Sequence, residues 1–266
     1  MNAEQKQADK LVAEAIERGV TYFDVAPTYG DAELKLGPAL EPYRKNVFLA
    51  CKTTQRQRET AQAELKQSLQ RLRTDHFDLY QLHALTDLKN DVDAVFAKGG
   101  AMEVFIDAKK QGIVRHLGFS AHSVEAALTA MDRFDFDSIL FPINFATFYK
   151  GDFGPQVIQK AQEKKVAILA LKALARQHWP QDDPQRQQYA KCWYQPLTDP
   201  RESELSLRFT LSQPVTAAIP PGEEACFRMA LDIAENYKPL TPAELETLKQ
   251  LAQNLNPIFT AKKPEA

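Results

Sequence analysis

Glycine is scarce in this sequence, 10 in 266 residues, and there are only three cysteines and two tryptophans. No G-x-G-x-x-G run follows an apolar stretch, which excludes the phosphate-cradling turn of a Rossmann domain. Cys51, Cys192 and Cys226 stand far apart with no C-x-x-C pair, so neither a disulfide framework nor a zinc knuckle is expected. No apolar run approaches the roughly 18–20 residues of a membrane span. The opening MNAEQKQADK lacks a signal-peptide core, and a cytoplasmic protein is expected. A formal net charge of −2 leaves no basic footprint for nucleic acid or an anionic membrane. His83, His122 and Asp24 could converge on a metal in a hydrolase barrel. No H-x-H or H-x-x-x-H spacing supports that reading, and no metal site is expected.

What the chain does have is alternation. Short runs rich in Val, Ile, Leu and Phe predict strands at 22–26, 47–52, 77–83, 115–120, 138–143, 166–172 and 215–219. Amphipathic stretches predict helices at 8–19, 60–74, 101–112, 123–134, 155–165 and 203–213, the first ending at Gly19 and the second starting from Thr60. Repeated strand–helix units predict right-handed crossovers and a parallel sheet. With no linker or shift in composition, the reading is α/β: a single barrel domain over 1–266 of the (β/α)8 TIM type. Only seven strands are evident, and the chain opens on a helix. The stretch 175–200, with Trp179, Tyr189, Trp193 and Tyr194, reads as a long loop over the mouth of the barrel, lining an aromatic pocket.

Four ionisable residues fall at or just beyond the ends of the first three strands: Asp24, Tyr29, Lys52 and His83. In a barrel those ends share the face where active sites are built. A Lys52 ammonium would favour the phenolate of Tyr29, Asp24 would keep Lys52 charged, and His83 would hydrogen-bond a substrate oxygen. Each has a plainer reading taken singly: a packed rim tyrosine, a solvated lysine, a histidine satisfied by a carbonyl, an aspartate capping a helix. All four on one face of consecutive strands favour the chemical one, protonation of a carbonyl oxygen as hydride reaches its carbon.

These residues sit in stretches that resemble the aldo-keto reductases: AIERGVTYFDVAPTYG, DAELKLGPAL, FLACKT, FDLYQLH, GIVRHLGFS, ILALKALA, AAIPPG and AEN, in the family's order. The resemblance implies a (β/α)8 barrel that reduces an aldehyde or ketone, or oxidises an alcohol, with NADPH or NADH. It puts the catalytic tetrad on Asp24, Tyr29, Lys52 and His83. It also implies cofactor contacts at Ser120, Asn144, Lys172, Gly222, Arg228 and Asn236. The chain departs from the pattern at Ala121, Leu140 and Leu171, where the family has polar or aromatic cofactor contacts. Glu223 and Glu224 replace the basic link that holds a 2′-phosphate, so NAD and NADP both stay open. The family's first strand is absent from these residues: either more chain precedes Met1, or the barrel is open beside 22–26 and 215–219. The cysteine cluster of iron–sulfur relatives is missing, so no such centre is expected. The partner implied is a small carbonyl or alcohol. The alternative is a barrel that kept the tetrad, lost the cofactor cleft, and serves in binding or assembly.

Overall fold

Parallel strands form where the sequence has its short apolar runs, because residues covered on both faces need no polar alternation. The computed structural model describes residues 4–261. In chain order the elements are α1 (Gln5–Glu17), β1 (Tyr22–Asp24), α2 (Ala32–Leu40), β2 (Phe48–Thr53), α3 (Arg58–Arg71), β3 (Phe77–Leu85), α4 (Ala94–Phe96), α5 (Ala101–Lys110), β4 (Val114–Ala121) and α6 (Val124–Arg133). There follow β5 (Ser138–Pro142), α7 (Phe145–Tyr149), α8 (Pro155–Lys164), β6 (Ala167–Leu171), the short β7 (Ala175–Gln177) and β8 (Gln195–Pro196), α9 (Pro200–Ser212), β9 (Ala217–Ile219), α10 (Glu224–Glu235) and α11 (Pro242–Gln253). All seven expected strands are present. The fold is α/β, with seven strands in its main sheet. No helix among the described residues is long and apolar enough to cross a membrane.

The chain groups into two compact units. The first runs to Ala121 and takes in Glu125–Ser138; the second comprises His122–Val124 and the residues from Ile139 on.

In the first unit β1, β2, β3 and β4 pair in parallel, with Asp24 opposite Ala50, Lys52 opposite Gln81 and Gln81 opposite Gly118. Alternate residues of β3 face opposite sides. Tyr80 turns to the helices and packs its ring 4.9 Å from Phe105 of α5. Gln81 and His83 take the other side. Helix α3 buries Ala61, Leu65 and Ser68, with Leu72 just beyond its end also buried, while Leu69 is only half-buried. The helix begins after Gln57 rather than at Thr60, whose hydroxyl donates back to the Gln57 carbonyl. Gly37 lets α2 close on the end of α3, since a Cβ there would stand 2.3 Å from the Arg71 carbonyl oxygen.

In the second unit β6 pairs in parallel with β9. Phe145 and Ala146 of α7, Leu205 and Phe209 of α9, and Leu248 and Ala252 of α11 form one core cluster. Each large side chain buried this way contributes about 1.5–3 kcal/mol. The stretch expected as irregular after β6 is partly ordered: β7 and β8 pair in antiparallel fashion, a 3-10 turn covers Pro184–Tyr189, and α9 already starts at Pro200. The Trp179 indole donates to the Cys192 carbonyl at 2.9 Å and ties this loop to itself.

Candidate active site

Three adjacent strands and the turn after β1 bring Asp24, Tyr29, Lys52 and His83 together in the first unit. Lys52 is wholly buried on β2. Its ammonium pairs with Asp24 Oδ2 and lies 3.4 Å from both the Val25 carbonyl and the Tyr29 hydroxyl. Tyr29 leaves β1 through a turn closed by its own N–H on the Ala26 carbonyl, and it remains 46% exposed. The one strongly accessible member of the group is therefore the phenol. The His83 ring meets it edge-on at 5.7 Å between centroids.

The electrostatics separate the two proton-bearing groups. Burial works against the charge on Lys52, but Asp24 and then Tyr29 outweigh it, and the ammonium is held above its ordinary pKa. Tyr29 is also raised: burial pushes it up, Lys52 pulls it down, and Asp24 pushes it up again. At neutral pH the site therefore presents a charged lysine beside a protonated phenol.

Backbone strain marks the end of β3. Ala84 adopts a left-handed φ of 58°, rare outside glycine, and the β3–β4 register shifts between Leu82 and Leu85. The Arg56 guanidinium donates to the His83 carbonyl at 2.9 Å, and the Ala84 N–H donates to Ser120 Oγ at 2.7 Å. Ser120, expected at the cofactor, thus braces the turn that carries His83 and keeps its own hydroxyl proton to donate. Arg56 and Gln81 were not singled out in the sequence. For Gln81 the signal was there: an amide inside an apolar run, two residues before His83 and so on the same face.

The remaining expected cofactor residues lie in the second unit. Asn144 is fully buried; its Oδ1 caps α7 by accepting the Thr147 N–H at 3.0 Å, and its Nδ2 is buried without a partner. Lys172, at a left-handed φ of 70° just past β6, sets its ammonium 4.8 Å from the Tyr194 ring and 5.5 Å from Trp193. His122 stacks on Phe259 at 5.1 Å, and burial, with Lys172 nearby, lowers its pKa to about 4. Gly222 precedes α10 in open space. Glu223 Oε1 accepts the Lys191 N–H at 2.6 Å, and Glu224 pairs with Arg228 at 3.3 Å. Asn236 caps the opposite end of α10, roughly 18 Å along the helix from its start, so one phosphate cannot reach both ends.

A family model described as the aldo/keto reductase family matches residues 1–192. The chain is 25% identical over 283 residues to the uncharacterized oxidoreductase YqkF of Bacillus subtilis, covering 94% of this chain and 89% of that one. It is 27% identical over 187 residues to the aldo-keto reductase YhdN of the same organism, covering 65% of this chain and 54% of that one. Among solved structures, the holo form of aldo-keto reductase AKR11C1 from Bacillus halodurans superposes with a TM-score of 0.70 at 22% identity, covering 94% of this chain and 88% of that one. With an ordered strand–helix alternation, a buried lysine beside an exposed tyrosine, and this match over most of its length, the chain belongs to the aldo/keto reductase family of oxidoreductases.

Proposed function

We propose that the protein is an NAD(P)H-dependent carbonyl reductase that converts an aldehyde or ketone to an alcohol, and the reverse, with Tyr29 as the proton donor. The observation that carries this reading is the Lys52 ammonium, paired with Asp24 and 3.4 Å from the Tyr29 hydroxyl. His83, edge-on to Tyr29, orients the substrate oxygen. As the carbonyl carbon is reduced, its oxygen takes the phenol proton. The phenolate left behind is stabilised by Lys52, whose charge Asp24 maintains. When bound, a nicotinamide cofactor supplies the hydride that no side chain can.

The second unit's residues fit such a dinucleotide. The partnerless buried Asn144 Nδ2 suits a carboxamide oxygen, since a buried donor left unpaired costs about 1–3 kcal/mol. The Lys172 ammonium and the N–H groups at the start of α10 beside Gly222 suit phosphate oxygens. Arg228 and Asn236 complete the contacts proposed within this unit, and in the first unit Ser120 is proposed as a cofactor contact through its hydroxyl. Glu223 and Glu224 are engaged by Lys191 N–H and Arg228, yet they leave the start of α10 acidic and so favour NADH where a 2′-phosphate would bind there.

The test is Tyr29→Phe, assayed with 4-nitrobenzaldehyde and either NADPH or NADH. Turnover should fall by about 10²–10⁴. Cofactor binding, followed by quenching of Trp179 and Trp193, should be preserved. Undiminished turnover in the variant overturns Tyr29 as the acid.

A further inference from the structure

Gln81 is wholly buried in β3, directly across from Lys52 in the β2–β3 register and on the same side of the sheet as His83. A buried amide needs a partner, and this one has found an anion. Its Nε2 donates to Asp24 Oδ1 at 3.0 Å, while Asp24 Oδ2 receives the Lys52 ammonium. The carboxylate is therefore gripped at both oxygens, by a cation on one and a neutral amide on the other. The contact also fixes which way the amide points, because its carbonyl turned toward Asp24 would face negative charge. Gln81 Oε1 is buried and accepts no hydrogen bond, so Asp24 is the amide's anchor.

We propose that Gln81 is a positioning residue for proton transfer: it locks the Asp24 carboxylate between β2 and β3 and tempers its charge toward Tyr29. This rests on the reading of Tyr29 as the proton donor. Asp24 acts on that phenol in two opposed ways. Through Lys52 it maintains the ammonium that pulls the phenol's pKa down, and by its own charge it pushes the phenol up. A neutral donor on Oδ1 draws off part of that charge and adds none of its own.

The other groups facing this cluster do not do the same work. Tyr22 on β1 reaches Asp24 Oδ1 only at 3.4 Å, and burial first, then Asp24, holds its phenol well above the usual range. Cys51 on β2 is kept protonated by burial and by Glu33. His83 on β3 contributes its ring edge. Among these, Gln81 makes the shortest hydrogen bond to Oδ1.

The experiment reads the Tyr29 phenol directly, by 19F NMR titration of the full chain labelled with 3-fluorotyrosine, whose phenol ionises below that of tyrosine. The Tyr29→Phe protein identifies the resonance by its disappearance. Wild type is compared with Gln81→Met, which keeps length and volume, and Gln81→Glu, which keeps shape and adds a carboxylate facing Asp24. The Tyr29 midpoint should rise by about one pH unit in Gln81→Met and further in Gln81→Glu once that group ionises. A midpoint unmoved in either folded variant overturns the proposal, including the case in which only the melting temperature falls, since a purely structural amide would do that alone. Failure of the parent reading looks different: Tyr29→Phe would still reduce 4-nitrobenzaldehyde, whatever the Gln81 titrations give.

Discussion

Tyr29 and Lys52 differ most in exposure, 46% against none, and that difference fits the parts proposed for them. Burial works against the Lys52 charge, which Asp24 first and then Tyr29 uphold, and on the proposed reading the exposed phenol is the group that meets the substrate. The strand-end polar residues were legible because Asp24, Lys52 and His83 each close an apolar run. Gln81 carried a signal too, as an amide inside an apolar run, but its partner was not legible, because Asp24 lies 57 residues away and only strand pairing joins them. His122 offers a separate check in the second unit. Its folded pKa of about 4 is below the ordinary value near 6.5, so its contribution to stability is full above about 6.5 and is lost as pH falls through about 4. His122→Phe, which keeps a ring on Phe259, should flatten the stability profile in that window. The removed slope is at most about 1.4 kcal/mol per pH unit, read from urea unfolding at several pH values. An unchanged slope would contradict an imidazole held neutral against Phe259.

At the level of elements, the opposite ends of the strands are held by charge. Asp78 at the start of β3 accepts the Leu49 N–H at 2.9 Å and pairs with Arg44 at 3.0 Å and Arg115 at 2.6 Å. One carboxylate thereby ties β2, β3 and β4 and the turn before β2. Asp78→Ala would leave a buried N–H and the half-buried Arg44 without their acceptor. We expect a loss of about 3–5 kcal/mol in chemical denaturation, with Asp78→Asn losing less; a change under about 1 kcal/mol would show the network to be ornamental. Strands were well placed from sequence because burial on both faces leaves continuous apolar runs. Helix starts were placed less well. The α3 start slipped from Thr60 to Gln57, and α11 was missed although T-P-A-E spells its capping box, with Thr241 and Glu244 exchanging hydrogen bonds. The face of α11 that packs on α7 and α9 carries Leu245, Leu248, Leu251 and Ala252 at helical spacing, so the apolar stripe as well as the cap was present in the sequence.

Across the whole molecule, hydrogen-bonded carboxylates set the response to acid, one buried and two half-buried. Asp78, Asp91 and Asp137 all ionise below their ordinary value. Burial pushes each up, but N–H donors and neighbouring Arg, Lys or Thr groups outweigh it. A lowered folded pKa means the contribution is complete above the unfolded value near 3.9 and is lost as pH falls through the folded one. Stability should begin to decline below about 6.5 through His122 and then drop steeply below about 4. Far-UV circular dichroism and urea midpoints across pH would show this, and a midpoint unchanged from neutral pH down to about 3 would contradict it.

Composition and patterning alone determined that this is an α/β chain of alternating strands and helices, with an acid, a phenol, an ammonium and an imidazole at successive strand ends. Those properties are local: they follow from side-chain volume, apolar periodicity and position in a run. Tertiary structure decided which groups share a proton environment. It set Gln81 on Asp24, turned Ser120 to the backbone of Ala84, placed Lys172 against Trp193 and Tyr194, and gave Glu223 to the Lys191 N–H. Each is a contact between residues distant in the chain, and its energy depends on register and burial that no short stretch encodes.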